Sequence, residues 1–353
     1  MYKILTINPG STSTRIALYE DEILLFKHSI DHSTEELAKY PTIKDQYSMR
    51  YEAIINALKE NNIDLKELSI IVSRGGPVAP LKSGAYIVDE VLVDKLMSNP
   101  LVQHASNLGG LIAYKMGREL NIDALIYDAV STDELEDIAR ISGVKEIERK
   151  SLIHTLNMRA SAIKVAKEMD RDYKELNLIV AHLGGGLSLS IHKKGRMVDV
   201  VTDHEGAFSP ERSGVLPSEA LANFCYQNDK DVVKQMLRGK GGLISYLGTN
   251  DAREVEKMIE NGDEYAKLIY EALAYQVAKS IGQLATVVDG LVDAIIITGG
   301  MAYSELLTSW ITKRVKFIAP VVIVPGENEL EALASGGLRV LKGEEEVHRF
   351  SGK

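Results

Sequence analysis

Apolar residues fall in short runs broken by turns rich in glycine, proline and acidic residues, and between these runs lie longer stretches of helical spacing. Runs at 3–9, 12–19 and 23–28 predict three strands, with turns at Pro9-Gly10 and Asp21-Glu22. A helix is predicted over 46–60. A strand over 68–73 then ends in Arg74-Gly75-Gly76-Pro77. Helices are expected over 89–97 and 106–119, and a buried strand over 124–127 ends on Asp128. A helix over 152–169 carries apolar positions 152, 156, 162 and 165. After it, strands at 178–181, 187–191 and 197–201 open a second sheet. Helices follow over 217–227, 230–239, 252–260 and 263–289. Strands at 294–298 and 320–324 then alternate with helices over 303–314 and 328–339. This alternation of strand and helix predicts the α/β class.

One local pattern occurs twice. Residues 4–19 read as apolar strand, small-residue turn and polar-alternating strand, and residues 178–192 read the same way. Setting Gly10 against Gly184 separates the copies by about half the chain. A duplicated domain, each copy with a small-residue turn near its start, is the architecture this predicts.

Composition narrows the partners. The chain has 353 residues, 45% hydrophobic and 26% charged, which suits a folded protein of about two domains. Its net charge of −9 provides no global field to draw in nucleic acid or anionic lipid. The N-terminus resembles a first strand and has no targeting signal, and no apolar run reaches the length of a spanning helix, so a cytoplasmic protein without membrane partners is expected. The one cysteine, Cys225, excludes an intramolecular disulfide; on its predicted helix it is expected to be a buried, inert thiol.

Candidate chemistry gathers at the turns. Gly184, Gly185 and Gly186 lie between two strands and lack the spacing of a dinucleotide or P-loop motif. Their amides can approach a phosphoryl group, with His182 two residues away; a bare hairpin is the alternative. Asn8, Gly10, Ser11 and Thr12 offer an amide, hydroxyls and turn amides at a strand end, where α/β proteins place their sites. Thr298, Gly299 and Gly300 follow an apolar strand and could let a nucleoside lie against the backbone. Arg74 and Arg212 sit in glycine- or proline-bearing turns that suit fork-like binding of carboxylate or phosphate. Asp128, Glu327 and Glu329 could serve a divalent cation, or could be carboxylates favoured near helix amides. His104 and His154 are further candidates, though no histidine pair has metal-ligand spacing.

Taken together, these motifs resemble the acetate and butyrate kinase family over nearly the whole chain, nearest its butyrate branch. The resemblance rests on Asn8-Pro9-Gly10-Ser11-Thr12-Ser13, Ala181-His182-Leu183-Gly184-Gly185-Gly186, Arg212-Ser213-Gly214 with Pro217, and Thr298-Gly299-Gly300. It implies duplicated ribonuclease H-like (actin-like ATPase) domains with a nucleotide and substrate cleft between them. One domain would span 1–130, completed by the helix after 330, and the other 131–330. By resemblance, Arg74 and Arg212 hold the acyl carboxylate and the moving phosphoryl group, Asp128 helps place Mg2+, and His182 donates to the phosphoryl group. Asn8 contacts phosphate, His154 is a second histidine of the site, and Asp251 and Arg253 contact nucleotide. Either Glu327 or Glu329 is the magnesium-associated acid. Two departures point away from acetate: Arg74 abuts Gly75, and Gly185 stands where acetate kinases carry a side chain.

The implied reaction moves the γ-phosphoryl group of ATP reversibly to butyrate, giving butyryl phosphate and ADP, in a homodimer or higher homo-oligomer. A kinase for acetate, propionate or isobutyrate, a nonenzymatic nucleotide-binding regulator and an actin-type assembly protein remain alternatives.

Overall fold

The computed structural model describes residues 1–98, 100 and 103–352. Its strands are β1 (Lys3–Pro9), β2 (Ser13–Glu20), β3 (Ile23–Asp31), β4 (Ile70–Arg74), β5 (Ala85–Ile87), β6 (Ala124–Tyr127), β7 (Asn177–Leu183), β8 (Leu187–Lys193), β9 (Arg196–Val201), β10 (Ala294–Gly299), β11 (Val321–Pro325) and β12 (Val347–His348). They divide between two units. The first is Met1–Asp133 together with the chain from Asn328 onward, and the second is Glu134–Glu327.

In the first unit the sheet order is β12-β5-β6-β4-β1-β2-β3. β1, β4 and β6 run parallel, whereas β1–β2 and β2–β3 are antiparallel hairpins. The parallel strands are buried along nearly their whole length, on both faces, because helices cover them. Helices Tyr47–Glu60, Glu90–Ser98 and Ser106–Leu120 contribute Ile54, Leu58, Leu92, Leu96, Leu108 and Ile112 to one core. The helix Glu329–Leu341 returns to this unit and packs on β1 and β4.

The second unit repeats the plan in the order β11-β10-β7-β8-β9, with β7, β10 and β11 parallel and β7–β8–β9 antiparallel. The offset from the start of β1 to the start of β7 equals that from β2 to β8, and it is the offset of Gly10 from Gly184. The duplication expected from the near-repeat is therefore present in strand order and direction. Alternate side chains of β7 serve opposite faces, as strand geometry requires. Ile179, Ala181 and Leu183 join the core under helices Glu264–Ala285 and Glu305–Val315, while Leu178 and Val180 join that under helix Thr155–Glu168.

Some details differ from expectation. The helix predicted over 152–169 begins only at Thr155, with His154 at its N-cap. The long helix over 263–289 ends as a 3-10 turn over Thr286–Val288. Cys225 is exposed, not buried. Its helix, Ser218–Gln227, holds no buried residue, so the apolar residues around Cys225 do not mark core. Among the described residues, no helix is long and apolar enough to cross a membrane.

Candidate functional site

In the first unit the predicted residues converge at the carboxyl ends of parallel strands. Register Ile7↔Ser73 sets Asn8 beside Arg74, and Arg74↔Tyr127 brings Asp128 next in line. Glu329, in the first turn of its helix, joins them. Asn8 Nδ2 donates to Glu329 Oε2 at 2.6 Å, and Arg74 Nη1 pairs with Glu329 Oε1 at 2.8 Å. The Glu329 charge is thus matched in a nearly buried setting, where charge-assisted hydrogen bonds are strong. Asp128 is buried and sits at φ 41°, a strained position for a residue with a side chain and one that clusters at functional sites. The backbone of Gly84 grips it: Gly84 N–H donates to Asp128 Oδ1 at 2.7 Å, and Asp128 N–H donates to Gly84 O at 3.1 Å. His104 bonds Ser106 through Nδ1, at 2.8 Å from its Oγ. Burial and then the Arg74 charge push its pKa down, so it favours the neutral ring.

Between β1 and β2 the chain turns tightly, with Gly10 N–H donating to Ser13 O at 2.7 Å. Ser11 and Thr12 lie on this turn and are both exposed. Arg50, an arginine within the apolar stripe of helix Tyr47–Glu60, lies behind it; that misfit in the stripe is the signal that could have drawn attention to it.

In the second unit His182 is the counterpart of Asn8, at the end of β7 and level with Thr298 of β10. Its Nδ1 lies 2.8 Å from Asn157 Oδ1, which also accepts from Thr298 Oγ1 at 3.2 Å. Asn157 Nδ2 in turn donates to Gly326 O at 3.2 Å, which fixes the amide's orientation. His182 Nε2 approaches Glu327 Oε1 at 3.2 Å but without a hydrogen-bonding angle, so this is an electrostatic contact. His154 stacks on His182 with ring centroids 4.0 Å apart and bonds Ser188 Oγ at 2.9 Å. Sequence reasoning missed Asn157, which lies between apolar neighbours.

The glycine turn Gly184–Gly186 follows β7. Ser209 Oγ donates to Gly185 O at 2.6 Å. Arg212 lies against Gly186 and pairs through Nη1 with Asp203 Oδ2, which also receives Arg238 Nη2 at 2.9 Å. Asp203, in the loop after β9, had no signal in the sequence. Gly299 adopts φ 91° directly over the Leu183 backbone, where a side chain would be both strained and excluded; Gly300 begins the next turn. Asp251 and Arg253 are engaged with each other instead of with the turns just described. Asp251 caps helix Ala252–Glu260 and pairs with Arg253 at 2.6 Å. The Arg253 hydrogen bond holds the Asp251 carboxyl down at about 2.

Comparison with known proteins gives a consistent result. A model of the acetokinase family matches residues 145–318. The chain is 47% identical over 353 residues to butyrate kinase 2 of Clostridium acetobutylicum, covering 99% of each. It is 49% identical over 355 residues to butyrate kinase 1 of the same organism, covering 99% of this chain and 100% of that one. The crystal structure of Porphyromonas gingivalis acetate kinase superposes with a TM-score of 0.81, covering 97% of this chain and 100% of that one; at 18% identity this likeness concerns the fold.

Proposed function

The chain belongs to the acetokinase family, and from that premise we propose that it transfers the γ-phosphoryl group of ATP reversibly to butyrate, forming butyryl phosphate and ADP by direct in-line displacement. The enzyme is a phosphotransferase of ATP and a short-chain carboxylate. The observation that carries butyrate is the end-to-end identity with two butyrate kinases.

The chemistry asks for alignment and charge neutralisation. A carboxylate titrates near 4, so the attacking oxygen is already ionised at neutral pH and needs no general base. Arg74 and Arg212 present planar guanidinium forks to carboxylate and phosphoryl oxygens. Each such charge-assisted contact is worth about 1.5–3 kcal/mol. Asn157 Oδ1 accepts from His182 Nδ1–H, so Nε2 donates to a phosphoryl oxygen when the ring is the doubly protonated imidazolium. Asn8 and the amides of the two turns add uncharged donors.

A divalent cation fits this reading in a limited form. Among the described residues no group of three or more His, Cys, Asp or Glu side chains is placed to hold a metal. Mg2+ takes only one or two protein carboxylates, with water and substrate phosphates completing its shell. Glu327, with its side chain 39% exposed just after β11, suits such a role better than Glu329, whose charge Arg74 already matches. Asp128, buried just past the end of β6, is the carboxylate to which the family resemblance assigns a part in placing Mg2+. When bound with nucleotide, Mg2+ neutralises phosphate charge.

A cytoplasmic homodimer or higher homo-oligomer completes the proposal, with gel filtration as the check on its assembly. The function itself is tested by trapping acyl phosphate with hydroxylamine across acids of two to five carbons, with and without Mg2+. Butyrate should give the fastest trapping, with overlap among neighbours because a methylene is worth only about 1–3 kcal/mol. ATP binding without acyl phosphate from any acid would overturn the proposal.

A further inference from the structure

Arg50 is wholly buried, yet its guanidinium meets peptide oxygens where a carboxylate would be expected. Nη1 donates to Gly10 O at 2.9 Å, Ser13 O at 3.1 Å and Thr14 Oγ1 at 3.0 Å. Nη2 donates to Ser11 O at 3.0 Å, and Nε to Gln46 Oε1 at 3.1 Å. The remaining carbonyl of the turn, Thr12 O, accepts from His32 N–H at 2.8 Å. Every peptide oxygen from Gly10 to Ser13 therefore accepts a hydrogen bond from within the protein, while Ser11 and Thr12 themselves are exposed.

That arrangement decides what the turn can attract. A peptide oxygen rotated outward would repel a phosphoryl group, and one held inward leaves amides and hydroxyls to face it. Burying a guanidinium is a costly way to gain stability, and apolar replacements often do as well. We propose that Arg50 is a positioning residue of the enzyme, which grips the Gly10–Thr14 turn so that it presents donors, and no peptide oxygens, to the phosphates of the nucleotide. This rests on the reading of that turn as phosphate-contacting. A lysine could not reproduce the grip, because a single ammonium cannot span three carbonyls in a fixed fork.

The test uses the full-length enzyme with Arg50→Lys and Arg50→Met. Measured are melting temperature, ADP affinity by calorimetry, and kcat with separate KM values for ATP and butyrate. Folded Arg50→Lys should bind ADP at least about fivefold more weakly and lose about tenfold in kcat, with KM for butyrate within about twofold, since the lost contacts position phosphate only. Arg50→Met, if it folds, should lose at least as much. Wild-type ADP affinity and kcat in folded Arg50→Lys would overturn the inference, as would an equal loss in the ATP and butyrate parameters. A wild-type enzyme that makes no acyl phosphate, combined with weakened ADP binding in Arg50→Lys, would leave this inference standing and remove butyrate phosphorylation instead.

Discussion

Replacing Gly186 with alanine should disable the enzyme without unfolding it. An alanine Cβ there lies 2.2 Å from Arg212 Nη1 and 2.5 Å from its Cζ. Ordinary contact begins near 3.4 Å, so the guanidinium must retreat by about 1.2 Å, the difference between 3.4 and 2.2 Å. The obstructing atoms are the far end of a flexible side chain, so the backbone need not move. Retreat also disturbs the ion pair with Asp203. Misplacing an aligned group by about 1 Å can cost about a hundredfold in rate, so kcat for butyryl phosphate should fall by about that factor. The same turn supplies its own controls. At Gly184 a Cβ meets His182 Nε2 at 3.2 Å and Glu327 Oε1 at 3.4 Å, which asks for shifts of tenths of an ångström. At Gly185 the nearest atom is Glu211 Oε1 at 3.8 Å, an ordinary contact. All three exchanges alter chain entropy alike, so differences among them report displaced side chains. Hydroxamate trapping should therefore rank Gly185→Ala near wild type, Gly184→Ala within about threefold and Gly186→Ala lowest. Arg212→Ala sets a reference for the lost guanidinium, at least about tenfold below wild type with the fold retained. Full activity in folded Gly186→Ala, or equal losses at positions 185 and 186, would refute the reasoning.

Two carboxylates near Pro325 should separate by what they disturb. Glu329→Gln leaves Arg74 without its charge partner in a nearly buried place, and denaturant unfolding should show a loss of about 3 kcal/mol. Glu327→Gln should keep its stability and raise the Mg2+ concentration needed for half-maximal turnover; the reverse pattern would exchange their roles. Burial, with a smaller effect from Arg159, holds fully buried His192 down at about 3. The unfolded imidazole titrates near 6.5, so above that pH neither state binds the proton and the contribution to stability is complete. As pH falls from about 6.5 toward 3 the unfolded chain takes up a proton that the folded chain refuses, and stability declines. Urea melts should therefore show wild type losing stability more steeply than His192→Gln over that window, and identical pH dependence in both would count against the buried neutral ring.

The duplication was legible because β1 and β7 share an alternation of apolar strand and small-residue turn, repeated at one constant offset. The carboxyl ends of those strands likewise mark Asn8 and His182 from sequence alone. What stayed hidden depends on contacts between segments remote in sequence. Arg50 bonds main-chain oxygens of a distant turn, and main-chain oxygens leave no pattern in a sequence. Asn157 gains its role from a histidine on a neighbouring strand, and Asp203 from two arginines in different turns. The surroundings of Glu327 and Glu329 look alike in sequence; only the folded chain sets one against Arg74 and the other against His182. Cys225 departs from expectation because local apolar content does not amount to burial: no residue of its helix is buried, and Cys225 itself is exposed.

The most direct measurement of the central claim follows oxygen. Butyrate labelled with 18O in both carboxylate positions is incubated with ATP, Mg2+ and enzyme, and the product is cleaved by hydroxylamine at the acyl carbon. If the carboxylate oxygen attacks the γ-phosphorus, the released inorganic phosphate carries one 18O atom by mass spectrometry. Unlabelled phosphate would contradict that attack and with it the reaction assigned to this enzyme.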